Sequence, residues 1–110
     1  MRLEVGPLPD DPVAAAARFH AEVLPRVAEA LADGALRIVL VFFPAPHAHR
    51  AWRVAAVQTL AAARAPARIN GLASDDAAAL AATETYLDSA PGLTGHYLEL
   101  DGAGAGPVLG

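Results

Sequence analysis

The sequence predicts an α/β fold of three layers, in which about four parallel strands form one sheet with helices on both faces. Residues 36–43 are β-branched and aromatic without alternation, which is typical of a central strand covered on both sides. Shorter extended runs at residues 3–5, 67–73 and 96–100 are separated by segments with helical periodicity. This order favours parallel strands joined by short, right-handed helical crossovers.

Length and composition indicate one small domain with more apolar residues than a monomer of this size needs. The chain has 110 residues, of which 55% are hydrophobic and 18% are charged. Small domains have proportionally more surface to cover with polar groups, so the apolar surplus predicts self-association into a homodimer or homotetramer. We expect a single domain over residues 1–104 and a flexible, glycine-rich tail over residues 105–110.

The charge pattern argues against several classes of partner. The formal net charge is -4 and the arginines are scattered, so no basic patch is available for nucleic acid or anionic lipid. The absence of cysteine excludes disulfides and thiolate metal sites. The strongly apolar run 38–43 is too short to cross a bilayer, and no apolar signal core follows Met1. We therefore expect a cytoplasmic protein that binds neither nucleic acid nor membranes.

The first helix is predicted to begin at Asp10 or Asp11, whose side chains can cap its N-terminus, and to end at Gly34. Pro12 suits the first helical position. Pro25 falls inside this helix, where the lost hydrogen bond and the ring clash cost about 3 kcal/mol in an isolated helix. A kink or break is therefore expected two residues before this proline.

The second helix, over residues 47–65, is apolar around most of its circumference. We expect Arg50, Arg53 and Arg64 to form a solvated or salt-bridged stripe on it. A helix that is apolar nearly all round is a buried helix, so in this small domain its second burying surface is predicted to be another subunit.

The third helix is predicted to start at Ser74 as N-cap and to carry Asp75 and Asp76 in its first turn. Two acidic residues at this place are explained by the helix dipole, so we do not interpret them as an acid/base pair.

Several stretches resemble the short-chain dehydrogenase (SDR) family in their order and spacing. Residues 67–72, Ala-Arg-Ile-Asn-Gly-Leu, look like the strand that follows that family's active-site helix. Residues 93–95, with 98–102, are similar to its closing Thr-Gly, extended strand and Asp-Gly, and residues 19–25 resemble its long interface helix. Over residues 13–104, the resemblance implies the C-terminal half of a bacterial-type, Rossmann-like fold in a truncated chain.

The resemblance also implies motifs that this sequence lacks. The family's cofactor site needs a glycine-rich turn after the first strand, and no such turn occurs at the front of this chain. Its chemistry needs a tyrosine and, four residues later, a lysine whose charge lowers the phenol pKa. Counting back from Asn70 places Pro46 at the tyrosine position and Arg50 at the lysine position, and the chain has no lysine. The sequence therefore predicts a pseudoenzyme that binds no cofactor.

The leading functional hypothesis is a non-catalytic SDR-like domain that acts through homo-oligomerisation or through association with a partner protein. In the family, the two helices that correspond to residues 13–31 and 47–65 pair with their copies in a neighbouring subunit. A full-length member of the family is a further candidate partner. The candidate interface residues are apolar and lie on these two helices: Phe19, Val23, Val27, Trp52, Ala56 and Leu60.

The alternative hypothesis is a small-molecule or nucleotide site, or an atypical enzyme, at the carboxyl ends of the strands, where open α/β sheets place ligands. The candidate pocket residues are Phe43, Pro44, His47, Asn70, Gly71 and Asp101. We predict no metal site, because the two-residue spacing of His47 and His49 suits a strand or loop and no nearby acidic residue completes a ligand set.

Overall fold

The computed structural model describes residues 1–100 and the backbone of Pro107–Val108, and it contains one sheet with helices on both faces. The strands are β1 (Arg2–Glu4), β2 (Arg37–Phe42), β3 (Arg68–Ala73), β4 (Tyr97–Leu100) and β5 (Pro107–Val108). The helices are α1 (Pro12–Arg18), α2 (Leu24–Ala32), α3 (Arg50–Ala63) and α4 (Ala77–Asp88). A π-helical turn, Phe19–Val23, joins α1 to α2, and a 3-10 turn, His47–His49, precedes α3. The predicted α/β architecture is confirmed.

The strands follow one another across the sheet in chain order. The first four are parallel, and β5 pairs with β4 in the antiparallel sense. Leu3 pairs with Leu40, Leu40 with Gly71 and Gly71 with Tyr97, so these four residues form one row across the sheet. Of the tail predicted to be flexible, only the short strand β5 belongs to the described residues; the rest of that prediction lies outside them.

The sheet is covered on both faces because alternate residues of its strands enter two separate cores. In β2, Ile38, Leu40 and Phe42 pack with α2, α3 and the π-helical turn. Val39 and Val41 point to the opposite face and pack with α4. The apolar run of β2 lacks polar alternation because the strand is buried on both faces, as the sequence predicts.

The crossovers are not all of one hand. From β1 to β4 the chain advances in a single direction across the sheet. The first two crossovers pass over the face that carries α1, α2 and α3, whereas the third passes over the other face through α4. Crossovers that advance in the same direction over opposite faces have opposite hands. The expectation of right-handed crossovers throughout is therefore wrong, although it follows the general preference.

The first helical segment begins as predicted and contains the predicted interruption. Asp11 is the N-cap of α1, and its carboxylate accepts a hydrogen bond from the backbone N–H of Ala14 at 2.9 Å. The π-helical turn lies directly before Leu24 and Pro25, so Pro25 enters at the first turn of α2. A proline at the start of a helical segment breaks fewer hydrogen bonds than one in its interior, which explains how the chain continues past it.

The cap of α4 differs from the prediction. Asp76, rather than Ser74, is the N-cap, and its carboxylate accepts from the backbone N–H of Ala78 and Ala79 at 2.9 Å and 3.3 Å. Ser74 lies two residues earlier, where its hydroxyl accepts a hydrogen bond from the backbone N–H of Asp76 at 3.0 Å. A carboxylate that accepts two N–H groups satisfies more of the free donors at the helix start than one hydroxyl can.

Candidate functional site

A cavity of about 250 Å³ opens at the carboxyl edge of the sheet. Its walls are residues 6–10, which follow β1, and residues 43–46, which follow β2. His49 and Arg53 complete the lining from the start of α3 and the turn before it. Open α/β sheets place their ligands at this edge, because the strands end there and the loops can diverge around a bound molecule.

Arg53 is buried despite its charge, with only 4% of its surface exposed. Its Nη1 donates hydrogen bonds to the backbone carbonyl of Phe43 at 2.9 Å and to the hydroxyl of Tyr97 at 3.1 Å. The guanidinium carbon lies 4.7 Å from the ring centroid of Phe42, a distance at which the aromatic face stabilises a cation. The expectation that Arg53 belongs to a solvated or salt-bridged stripe is wrong, because the side chain turns inward toward the end of β2 and no described carboxylate pairs with it.

The charge of Arg53 has no counter-ion among residues 1–100. No described carboxylate oxygen comes within 4.0 Å of its guanidinium, and its Nε is buried without a hydrogen-bond partner. A guanidinium has five N–H donors, and the two hydrogen bonds seen here both start from Nη1. Since a buried charge without a counter-ion is costly, this side chain has the strongest need for an additional partner in the cavity.

Both ring nitrogens of His49 are engaged in hydrogen bonds. Trp52 Nε1 donates to its Nδ1 at 3.2 Å, and its Nε2 lies 2.8 Å from the backbone carbonyl of Asp10. An indole N–H can only donate and a carbonyl can only accept, so Nδ1 is unprotonated and Nε2 carries the hydrogen. His49 thus ties the turn before α3 to the loop after β1, and neither nitrogen is left for proton transfer.

Tyr97 is the buried phenol nearest to the cavity's cation. Burial raises the pKa of Tyr97 and outweighs the opposing effects of the hydrogen bond and the positive charge of Arg53. The phenol is therefore protonated at neutral pH. A cation beside a tyrosine is the arrangement that the SDR resemblance implies for catalysis, but there the cation must lower the phenol pKa.

The two residues predicted to occupy degenerate active-site positions, Pro46 and Arg50, have different surroundings in the structure. Pro46 is part of the cavity wall. Arg50 points away toward β4, where its Nη1 donates to Glu99 Oε1 at 2.6 Å and its guanidinium carbon lies 5.8 Å from the Tyr97 ring centroid. Arg50 is therefore a partly buried ion-pair residue between α3 and β4.

The candidate pocket residues are not brought together as one set. Phe43 and Pro44 line the cavity, while His47 lines a shallow depression on the outer side of α3. Asn70 and Gly71 lie in the middle of β3, which ends only at Ala73. Asp101 lies outside the described residues.

Asn70 and Gly71 have roles in packing and loop fixation. The Asn70 side chain donates to the carbonyl of Leu93 at 3.1 Å and accepts from the N–H of His96 at 3.0 Å. It thereby fixes the turn that leads into β4. Gly71 lies beneath Val57 and Tyr97, where a larger residue has no room.

The six apolar residues predicted as a subunit interface contribute to the core of the single chain. Phe19, Val23, Val27, Ala56 and Leu60 are each at most 9% exposed, and Trp52 is partly buried against them. Any interface on these helices would therefore use their outward-facing residues.

Sequence reasoning missed His49 and Arg53 as the residues that face the cavity. They are four residues apart and share one side of the helix, the spacing that the resemblance implies for the family's tyrosine and lysine. Counting back from Asn70 arrives three residues earlier, at Pro46 and Arg50. The available signal was the position of Arg53 on the helical stripe whose other members are apolar, namely Ala56, Val57, Leu60 and Ala61.

Two other kinds of site find no support in the described part of the chain. Residues 1–100 contain no group of three or more histidine, aspartate or glutamate side chains placed to hold a metal ion. Within the same residues, no helix has the length and apolar character that a membrane crossing requires.

Comparison with known proteins identifies the family. The family model described as short chain dehydrogenase-like protein (SDR-like) matches residues 3–100. Neither the curated proteins nor the solved structures include a significant match. The matched region contains the described helices, the cavity and, apart from Arg2 of β1, the four parallel strands. The chain therefore belongs to the SDR-like family.

Proposed function

We propose that this chain is a non-catalytic SDR-like domain that functions by pairing with a second copy of itself through the outward face of α3. The supporting observation is a stripe of exposed, small or uncharged residues on that helix, formed by Ala51, Ala55, Gln58 and Ala62. These residues are separated by four, three and four positions, which is the spacing of contact residues on helices that pack side by side.

The stripe suits a second copy better than a charged partner. It contains no charged residue, so two identical stripes can meet around a twofold axis without opposing like charges. Small side chains also allow two helices to approach closely. An open depression of about 640 Å³ lies over part of the stripe, and side chains of the partner helix can fit into it. Its lining consists of Ala51, Ala55 and Gln58 of the stripe together with His47, Ala48, Arg50 and Val54.

The proposed lack of dehydrogenase activity is supported by the groups around the cavity. His49 uses both ring nitrogens in internal hydrogen bonds. Tyr97 has a raised pKa, and Arg50 is held by Glu99. These three groups are therefore engaged elsewhere or are poor acids.

Sedimentation equilibrium of a matched pair of variants tests the pairing surface. Ala55→Arg places a guanidinium in the middle of the stripe, where its burial is unfavourable, so the dimer dissociation constant should rise at least about tenfold. Ala82→Arg makes the same change on the exposed side of α4 and should leave the constant unchanged. Equal effects of the two substitutions would contradict the α3 interface. A wild-type chain that pairs only with a full-length SDR would contradict self-association.

A second candidate function is small-molecule binding at the carboxyl edge of the sheet. The cavity beside Arg53 favours it. Calorimetry with NAD(H) and NADP(H) tests for a nucleotide ligand: micromolar binding of either would support the second function and contradict the expectation of a chain without cofactor.

A further inference from the structure

We propose that the cavity between the loops after β1 and β2 binds a small aliphatic monocarboxylate, with Arg53 as the residue that neutralises its charge. This inference rests on the second candidate function and deepens it by naming the chemical class of ligand.

The buried charge of Arg53, rather than the net charge of the lining, favours an anion with a single negative charge. Arg53 is the cation that lines the cavity, and no described carboxylate oxygen comes within 4.0 Å of its guanidinium. His49, the other basic side chain in the lining, has both ring nitrogens engaged in hydrogen bonds with Trp52 and Asp10. Asp10 also lines the cavity and is exposed, so its carboxylate disfavours a ligand with two or three negative charges. A monoanion balances Arg53 without adding strong repulsion from Asp10.

Hydrogen bonding to Arg53 favours a carboxylate among the monoanions. The Nη1 group is already used for the Phe43 carbonyl and the Tyr97 hydroxyl. The guanidinium donors beyond Nη1 make no hydrogen bond to residues 1–100, and a carboxylate oxygen accepts strong, charge-assisted hydrogen bonds from a guanidinium. The two existing bonds also hold the side chain in place, which lowers the entropy cost of binding.

The remaining walls favour a short aliphatic chain. Leu8, Pro9, Pro44 and Ala45 present carbon atoms to a space of about 250 Å³. Drug-sized ligands occupy pockets of roughly 300–1,000 Å³, so the space here suits a molecule of a few heavy atoms. A ligand of this size is expected to bind in the millimolar range.

The test is an NMR titration of the 110-residue chain with sodium propionate, against sodium chloride at the same ionic strength. The amide signals of residues 6–10 and 43–46 and the Nε–H signal of Arg53 report on the cavity. We expect saturable shifts of these signals with propionate and none with chloride. Sodium phosphate, titrated in parallel, should cause no saturable shift.

Three variants locate the binding. Arg53→Gln removes the charge and should weaken propionate binding at least about tenfold. Ala45→Trp fills the cavity without altering Arg53 and should also abolish binding, so the test stands even if Arg53→Gln does not fold. Arg64→Gln removes an exposed arginine at the end of α3 and should bind propionate as the wild type does.

The outcomes separate this inference from the second candidate function. An absence of saturable propionate shifts, or shifts that persist in Ala45→Trp, would overturn the carboxylate site. Phosphate binding without propionate binding would overturn it as well. If NAD(H) binds and propionate does not, a ligand site exists but the proposed ligand class is wrong. If propionate binds and NAD(H) does not, the proposed ligand class is supported.

Discussion

A β-carbon on Gly71 would lie 2.9 Å from Cγ2 of Val57, in the contact between β3 and α3. The same atom would lie 3.2 Å from Phe42 Cε2 and 3.3 Å from Tyr97 Cδ1. The bare backbone of Gly71 therefore sets how closely α3 packs on the sheet. Since Arg53 lies one helical turn before Val57, this contact also positions the cavity's guanidinium.

Gly71→Ala should destabilise the fold by about 1–3 kcal/mol, because the added methyl group overpacks a filled core. Urea denaturation of wild type and variant measures the difference in the free energy of unfolding. Gly92→Ala is the matched control, since a β-carbon there meets no atom within 4 Å, and it should change stability by less than about 0.5 kcal/mol. A Gly71→Ala variant as stable as the control would show that α3 can move away without cost.

The stability of the fold should fall above pH 10.0, the ordinary pKa of tyrosine, because the folded-state pKa of Tyr97 is raised. The folded state favours the protonated phenol, and this preference adds to the free energy of unfolding. The added stability is fully present below the pKa that Tyr97 has in the unfolded chain, and it is lost as the pH rises through the higher pKa of the folded state. Urea midpoints across this range measure the effect. The experiment uses a Tyr86→Phe background, in which Tyr97 is the remaining tyrosine.

Adding Tyr97→Phe to that background should remove the part of the stability loss at high pH that comes from ionisation of Tyr97. The two proteins should therefore differ in the slope of stability against pH above pH 10.0. Parallel slopes would contradict the raised pKa. The phenolate absorbance of Tyr97 should also appear only above its ordinary titration range.

The ion pair between Arg50 and Glu99 should contribute little to stability. Their side chains are 25% and 38% exposed, so solvent and salt screen the attraction. A double-mutant cycle with Arg50→Gln and Glu99→Gln should give a coupling energy below about 1 kcal/mol that decreases with added salt. A larger coupling that does not depend on salt would indicate a stronger structural role for the pair.

Asp76→Ala should destabilise the fold by about 1 kcal/mol, because two backbone N–H groups at the start of α4 lose their acceptor. Asp75→Ala is the control, since Asp75 is exposed and is not the N-cap. Thermal or urea unfolding of the two variants distinguishes the roles. If Asp75→Ala has the larger effect, the cap assignment is wrong.

The sequence predicts the architecture because the residue preferences of each helix and strand agree with the place of that element in the fold. The doubly covered strand β2, the cap at Asp11 and the interruption before Pro25 all follow from residue type and spacing. The hand of the third crossover was not predictable, because the pattern of apolar residues in α4 shows that it is buried but not on which face of the sheet.

The candidate site was less predictable because burial of a charge depends on contacts distant in sequence. Arg53 reaches the end of β2 and a tyrosine of β4, and neither partner is evident from the periodicity of α3. The interface residues chosen from helical periodicity were the core-facing ones, since an apolar stripe marks a buried face without showing what buries it. The outward alanines are visible only after the core face has been assigned.

The molecular mass of the wild-type chain in solution, measured by light scattering at micromolar concentration, tests the proposed self-association most directly. The account predicts a mass about twice the 11.3 kDa of one chain, and a return toward the single-chain mass in Ala55→Arg. A mass of one chain for the wild type across this concentration range would contradict the proposed function.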